Sequence, residues 1–268
     1  MKNYICATCG TIYEIAEKPP NICSICEDER QYVGLDGQKW TILEELNKNY
    51  KNIFEDKEPG VISIKTLPDF AIGQRAFLVK SKQGNILWDC VTLINEETIN
   101  KIKKLGGLIA IAISHPHYYS AMTQWSAAFG NIPLYIHKDD SRWVMCGSEN
   151  INFWKGENYQ LNDELTMIRC GGHFEGASVL HWKSSVDGKG VIFSGDTIQV
   201  VPDRKHVSFM YSYPNIIPLN KQKIQKIIRA VEPFEFDRIY GAFQQREILK
   251  DAKNAVLKSA GRYIKAIE

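Results

Sequence analysis

The chain has 268 residues, 44% hydrophobic and 24% charged, a globular balance that is long enough for one large core and a small appendage. A formal net charge of +2 gives no bulk electrostatic case for nucleic acid or an anionic membrane. No apolar run approaches the roughly 20 residues that cross a bilayer. Residues 1–10 lack the apolar core of a signal peptide, so the expectation is a soluble cytoplasmic protein with neither nucleic-acid nor membrane partner.

Seven cysteines is an odd number, and four of them fall into two CxxC pairs, Cys6/Cys9 and Cys23/Cys26. Such pairing suits a metal site in a reducing compartment better than a disulfide framework. Two knuckles close a tetrahedron of thiolates around one cation, which offsets the weak core of so short a segment. Gly10, just after the first knuckle, fits a backbone position with positive φ. Residues 1–37 resemble zinc ribbons and rubredoxin-like domains, with Tyr4, Gly10 and Tyr13 following the rubredoxin pattern; Glu27 stands where a glycine usually follows the second knuckle. Zinc is expected there, and iron is the alternative, because both accept four thiolates. Cys90, Cys146 and Cys170 read as small buried hydrophobes.

Residues 38–268 form the expected main domain. The pattern from Lys39 to Tyr50 predicts a short amphipathic helix with Trp40, Leu43 and Leu46 on one face. After Pro59-Gly60 come strands: "VISIKTL", "RAFLVKS" and "NILWDC", separated by turn residues such as Gln83-Gly84-Asn85. "NEETINKIKKLGG" predicts a helix capped by Asn95 and stopped at Gly106-Gly107. "LIAIAISH" predicts a strand covered on both faces, followed by a helix in "YSAMTQWSAAFG" and a strand in "PLYIHK". In the second half, "ELTMIRCGG", "SVLHWKS", "GVIFSGD" and "FDRIYGAF" predict strands. "NKQKIQKIIRAVE" and "EILKDAKNAVLKSAGRYIKAI" predict helices. Strands and helices in both halves predict two sheets packed face to face with helices outside.

Four strand ends carry candidate ligands: Asp89 after "ILW", His115 and His117 in "SHPH", His173 in "GGHFEG", and Asp196 in "SGDT". From about Val61 onward this order resembles the metallo-β-lactamase-fold superfamily. The resemblance implies an α/β fold, a four-layer αββα sandwich, with the four-cysteine metal ribbon added in front. "HPHYYS" matches the first two histidines of the family's HxHxDH signature, "GGHFEGAS" its glycine-flanked histidine, and "SGDT" its bridging aspartate. Tyr119, Ser120 and Ala242 occupy the positions of the second metal's ligands. The resemblance therefore implies one zinc or iron at most, on His115, His117 and His173, with Asp196 as fourth ligand or as orienter of water.

Three imidazoles leave a fourth position for water, and zinc brings that water's pKa to about 7. Tyr118 or Tyr119 would supply a proton or a hydrogen bond, with Tyr119 and Asp196 the expected catalytic side chains. Asp89 is expected to hold the His115 loop through backbone N–H groups rather than to bind metal. His137 and His181 read as structural, whereas Phe209, Tyr211 and Tyr213 read as a pocket wall.

The function that follows is a metal-dependent hydrolase with a reduced, mononuclear site and a small-molecule substrate: an ester, thioester or amide. Two alternatives stand beside it. One is a mononuclear iron oxidoreductase resembling the persulfide dioxygenases, on His115, His173 and Asp196. The other is a catalytically degenerate binding protein.

Overall fold

Pro59-Gly60 turns the chain between two antiparallel strands, Lys51–Glu58 and Val61–Leu67, with Gly60 at φ +86°. The second strand lies where the alternation predicts it. The first was not expected, because its charged, half-exposed residues hide the period-2 pattern that a buried face would show. The hairpin forms one edge of a seven-stranded sheet in the computed structural model, which describes residues 1–185 and 187–268. Two compact units make up the chain: Met1–Ile136 with Ser141–Phe153, and His137–Asp140 with Trp154–Glu268.

In the first unit the sheet runs Ile151–Trp154, Leu134–His137, Ala110–Ala112, Gly84–Trp88, Arg75–Ser81, Val61–Leu67, Lys51–Glu58. Gly84–Trp88, Ala110–Ala112 and Leu134–His137 are parallel neighbours, so the loops after the first two emerge side by side. Arg75–Val79 are buried without interruption, as a strand covered on both faces must be. Helix Glu96–Lys104 starts where the cap predicts: the Asn95 side chain accepts a hydrogen bond from Thr98 N at 3.0 Å.

The four-cysteine segment folds as a three-stranded sheet in the order Ile12–Ala16, Lys2–Cys6, Trp40–Thr41. Pairing of Trp40 with Cys6 draws Trp40 out of the helix expected from Lys39, which therefore runs only from Leu43 to Asn49.

The second unit holds a six-stranded sheet: Asn158–Gln160, Leu165–Arg169, Ser178–Trp182, Val191–Gly195, Arg238–Gly241, Glu247–Ile248. Helices Lys221–Val231 and Ala252–Ile267 supply Ile224, Ile227 and Val256 to a core shared with Ile168, Val179, Ile192 and Ile239 of the sheet. Glu247–Ile248 pairs with Tyr240 and Ile239 as an edge strand, so the closing helix begins at Ala252 rather than at Glu247. No helix among the described residues is long and apolar enough to cross a membrane.

His137 and His181 are structural. His137 Nε2 donates to Gly156 O at 3.1 Å, and His181 Nε2 donates to Glu235 O at 2.8 Å. Burial pushes both imidazoles below the usual histidine range.

Two measurements check these assignments. Replacing Asn95 with Ala should cost about 1 kcal/mol in urea unfolding, because Thr98 N loses its partner. The depressed histidines bind fewer protons folded than unfolded. Their contribution to stability is therefore complete above about pH 6.5 and declines as pH falls below it toward their folded values. In His181→Gln that acid-side slope, read from denaturation midpoints between pH 7 and pH 5, should be shallower.

Candidate metal centres

The ribbon brings its four cysteines together. One sulfur from each of Cys6, Cys9, Cys23 and Cys26 lies within 4.8 Å of the others, with Cys6–Cys26 at 3.5 Å and Cys9–Cys23 at 3.6 Å. Tetrahedral thiolates at a zinc–sulfur distance of about 2.3 Å sit roughly 3.8 Å apart, so the donor set fits a divalent cation. Hydrogen bonds among the sulfurs push Cys6 and Cys23 down, while burial pushes Cys9 up and the bond with Cys23 pushes Cys26 up. Four sulfurs competing for protons in this way can all ionise once a cation neutralises them. Gln38 Nε2 donates to Cys6 Sγ at 3.2 Å and the Tyr13 hydroxyl to Cys23 Sγ at 3.4 Å.

The ribbon is bonded to the strand-end loops of its own unit. Ile12 N donates to Ser120 O at 3.1 Å, Glu14 N to Met145 O at 3.2 Å, and Thr92 Oγ1 to Gly10 O at 3.1 Å. Gly10 has φ +81°, and a Cβ there would lie 2.3 Å from Thr92 Oγ1. A side chain at this position would force the ribbon and the Thr92 loop apart.

His115 and His117 sit in the loop after Ala110–Ala112, on either side of Pro116 in a 3-10 turn that spans Pro116–Tyr118. Both are buried, with ring centroids 5.2 Å apart. The parallel pairing of Ala110–Ala112 with Gly84–Trp88 places Asp89 beside Ser114. The Asp89 carboxylate accepts from Ser114 N at 2.7 Å, the role the sequence suggests. Asp89 itself is held at φ +64°, a costly conformation for a residue with a side chain. Ser114 Oγ lies 2.8 Å from His115 Nδ1, so Nε2 is the nitrogen of that ring suited to a metal.

In the second unit Gly171 and Gly172, at φ +67° and +85°, turn the chain into His173. A Cβ on Gly172 would meet Leu219 at 2.9 Å, so this turn needs glycine for space as well as for conformation. His173 Nδ1 donates to Met210 O at 3.2 Å. A carbonyl only accepts, which fixes the proton on Nδ1 and again presents Nε2. The Met210 thioether receives the Tyr263 hydroxyl of the closing helix at 3.0 Å. Asp140 Oδ1 accepts from Gly176 N at 2.9 Å and steadies the far side of the His173 loop.

Asp196 is buried at the end of Val191–Gly195. The Tyr213 hydroxyl donates to its carbonyl at 3.0 Å, and the Tyr213 ring lies 5.8 Å from that of His173. Burial, reinforced by Asp196, pushes the Tyr213 phenol well up, so it stays protonated and donates. The expected pocket wall divides by environment. Tyr213 joins His173 and Asp196, whereas Phe209 is fully buried in the apolar core and Tyr211 packs against that core. His206 is bound at the surface to Asp203, Nδ1 to Oδ2 at 2.6 Å.

Tyr119 is buried and lines a small gap with Thr11, Ile12 and Ser120. Its neighbour Tyr118 makes the ring contact with His115, 5.4 Å between centroids, and donates to Arg75 O at 2.9 Å. Ser120 Oγ donates to Cys90 O at 3.1 Å, and Ala242 is buried. Ser114, Asp140 and Met210 are the supporting residues that sequence reasoning did not assign. Only Ser114, adjacent to His115, carried a local signal.

No family model matches the chain. Over 269 residues it is 49% identical to "Uncharacterized protein YmaE" of Bacillus subtilis (strain 168), an alignment that spans 100% of this chain and 97% of the relative. The chain belongs to the YmaE family. Among solved structures, this member of the YmaE family is similar to DIM-1 metallo-β-lactamase, at TM-score 0.61 and 14% identity over 81% of this chain and 99% of that one. It is also similar to the metallo-β-lactamase FIM-1 from Pseudomonas aeruginosa in its mono-zinc form, at TM-score 0.57 and 13% identity over 79% and 95%. The fold is therefore the mixed α/β metallo-β-lactamase fold, carrying a four-cysteine cluster at its N-terminus.

Asp89→Ala should release the His115 loop while leaving every histidine in place. Retention of divalent metal by the purified chain, measured by competition with a chelator, should weaken about 10- to 100-fold, the usual effect of losing such a support.

Proposed function

We propose that this member of the YmaE family is a mononuclear metal-dependent hydrolase acting on a small ester, thioester or amide. His115, His117 and His173 hold the metal, and Asp196 serves as fourth ligand or orients the attacking water. The observation that carries the reading is the pair of donor sets: the first unit buries His115 and His117 side by side, and the second buries His173 and Asp196 at its strand ends. Backbone and hydroxyl contacts at Nδ1 of His115 and His173 support this reading, because they leave Nε2 as the ligand atom of each ring. A divalent metal on such a set supplies Lewis-acid activation, bringing water's pKa to about 7.

The chain's own residues do the positioning. Asp89 and Ser114 fix the first histidine loop, Met210 fixes the His173 ring, and Tyr213 holds the Asp196 backbone from which the carboxylate extends. Ala242 offers no ligand atom, and the Ser120 hydroxyl is turned to a carbonyl, which supports a single main-domain metal. Zinc is the proposed ion at both centres, and a cytoplasmic location is the compartment in which the four ribbon thiolates stay reduced.

Elemental analysis of the purified chain should give about two zinc per molecule. The double variant His115→Ala/His173→Ala should keep one, in the ribbon, and lose hydrolysis of chromogenic ester and thioester substrates. Iron in place of zinc would redirect the reading to oxidative chemistry, and unchanged metal content in the double variant would dismantle the centre.

A further inference from the structure

A cleft in the first unit lies between the ribbon and the loop 68–74, and it is lined by both Cys9 of the ribbon and His117. Thr66, Thr92, Ser120 and Cys90, all buried, line it together with the half-buried Gln74. It contains no carboxylate, lysine or arginine among the described residues. The room for water-sized groups amounts to about 30 Å³, enough for one or two non-hydrogen atoms. Whatever enters is therefore a water or the narrow tip of a larger molecule.

The wall's hydrogen-bonding sense is fixed by backbone and side-chain acceptors that already take each hydroxyl's hydrogen. Thr66 Oγ1 donates to Asn52 Oδ1 at 2.8 Å, Thr92 Oγ1 to Gly10 O at 3.1 Å, and Ser120 Oγ to Cys90 O at 3.1 Å. Each hydroxyl has one hydrogen, already committed, and lone pairs that remain. All three are buried, so a ligand tip that meets them must bring the hydrogen itself. Burial also pushes the Cys90 thiol well up, keeping it neutral.

We propose that this cleft is a subsite for a neutral hydrogen-bond-donating group, a primary amide or a hydroxyl, and that it selects against anionic tips. Assigning it to the substrate of the metal centre rests on the reading of His117 as a ligand; the preference for donors rests on the three hydroxyls alone. The ribbon is then a wall of the substrate site. Thr92 links the two through its bond to Gly10, so the ribbon's position sets the cleft's width.

Acetamide and acetate make the test, being equal in shape and opposite in the property that matters. Their binding is measured by saturation-transfer NMR on the metal-loaded full chain and on His173→Ala, which empties the main centre without touching the cleft. Acetamide should bind both proteins within twofold, and acetate should show no binding to His173→Ala. Thr92→Val and Ser120→Ala, each verified by circular dichroism and ribbon metal content, should weaken acetamide by roughly fivefold, the effect of one hydrogen bond. Acetate binding to His173→Ala as well as acetamide does, or acetamide binding that neither substitution alters, would overturn the proposal. A chain that holds only ribbon metal yet keeps the acetamide preference would instead count against the hydrolase reading and leave the donor-selective cleft in place.

Discussion

A buried imidazole serves a metal only when its second nitrogen is held, because a free ring rotates and exchanges its proton between two sites. Both histidine loops of this chain meet that requirement by different means. His115 is held by the hydroxyl of the preceding residue, whose backbone is in turn gripped by Asp89. His173 is held by the Met210 carbonyl from a strand almost forty residues later. The parallel pairing that lays the Asp89 loop beside the Ser114 loop, and the glycine turn that admits His173, provide these grips. Much of the surrounding architecture follows from supplying fixed partners to those rings.

The ribbon belongs to the same logic. A segment this short has little apolar surface to bury, and a cation joining four sulfurs takes the place of a core. Its backbone then bonds to Ser120, Met145 and, through Thr92, to the loop after Asp89. It is anchored on the loops that carry the first histidine pair, which is more than a tethered appendage would need.

Much of this was legible in the residues. The two CxxC pairs announced the ribbon, the Asn95 cap placed a helix start, and apolar strands ending in His or Asp marked the candidate site. Legibility failed where a side chain's role depends on a distant partner. Lys51–Glu58 is a strand because of the hairpin it closes, not because of its own charged composition. Trp40 reads as helical and pairs instead with Cys6. Tyr213 looked like one of three equivalent aromatics, and only tertiary contacts separate it from Phe209 in the core. Ser120, a lost ligand by pattern, instead has its hydroxyl bonded to Cys90 and its carbonyl bonded to the ribbon.

The contact between Met210 and Tyr263 has a consequence for biogenesis. The strand whose carbonyl fixes the His173 proton is braced by a helix that follows it late in the chain. A nascent polypeptide emerging from the ribosome has that histidine long before it has the brace. The brace on Met210 thus forms only after Tyr263 has emerged, whereas the cysteine cluster has all four sulfurs as soon as Cys26 has.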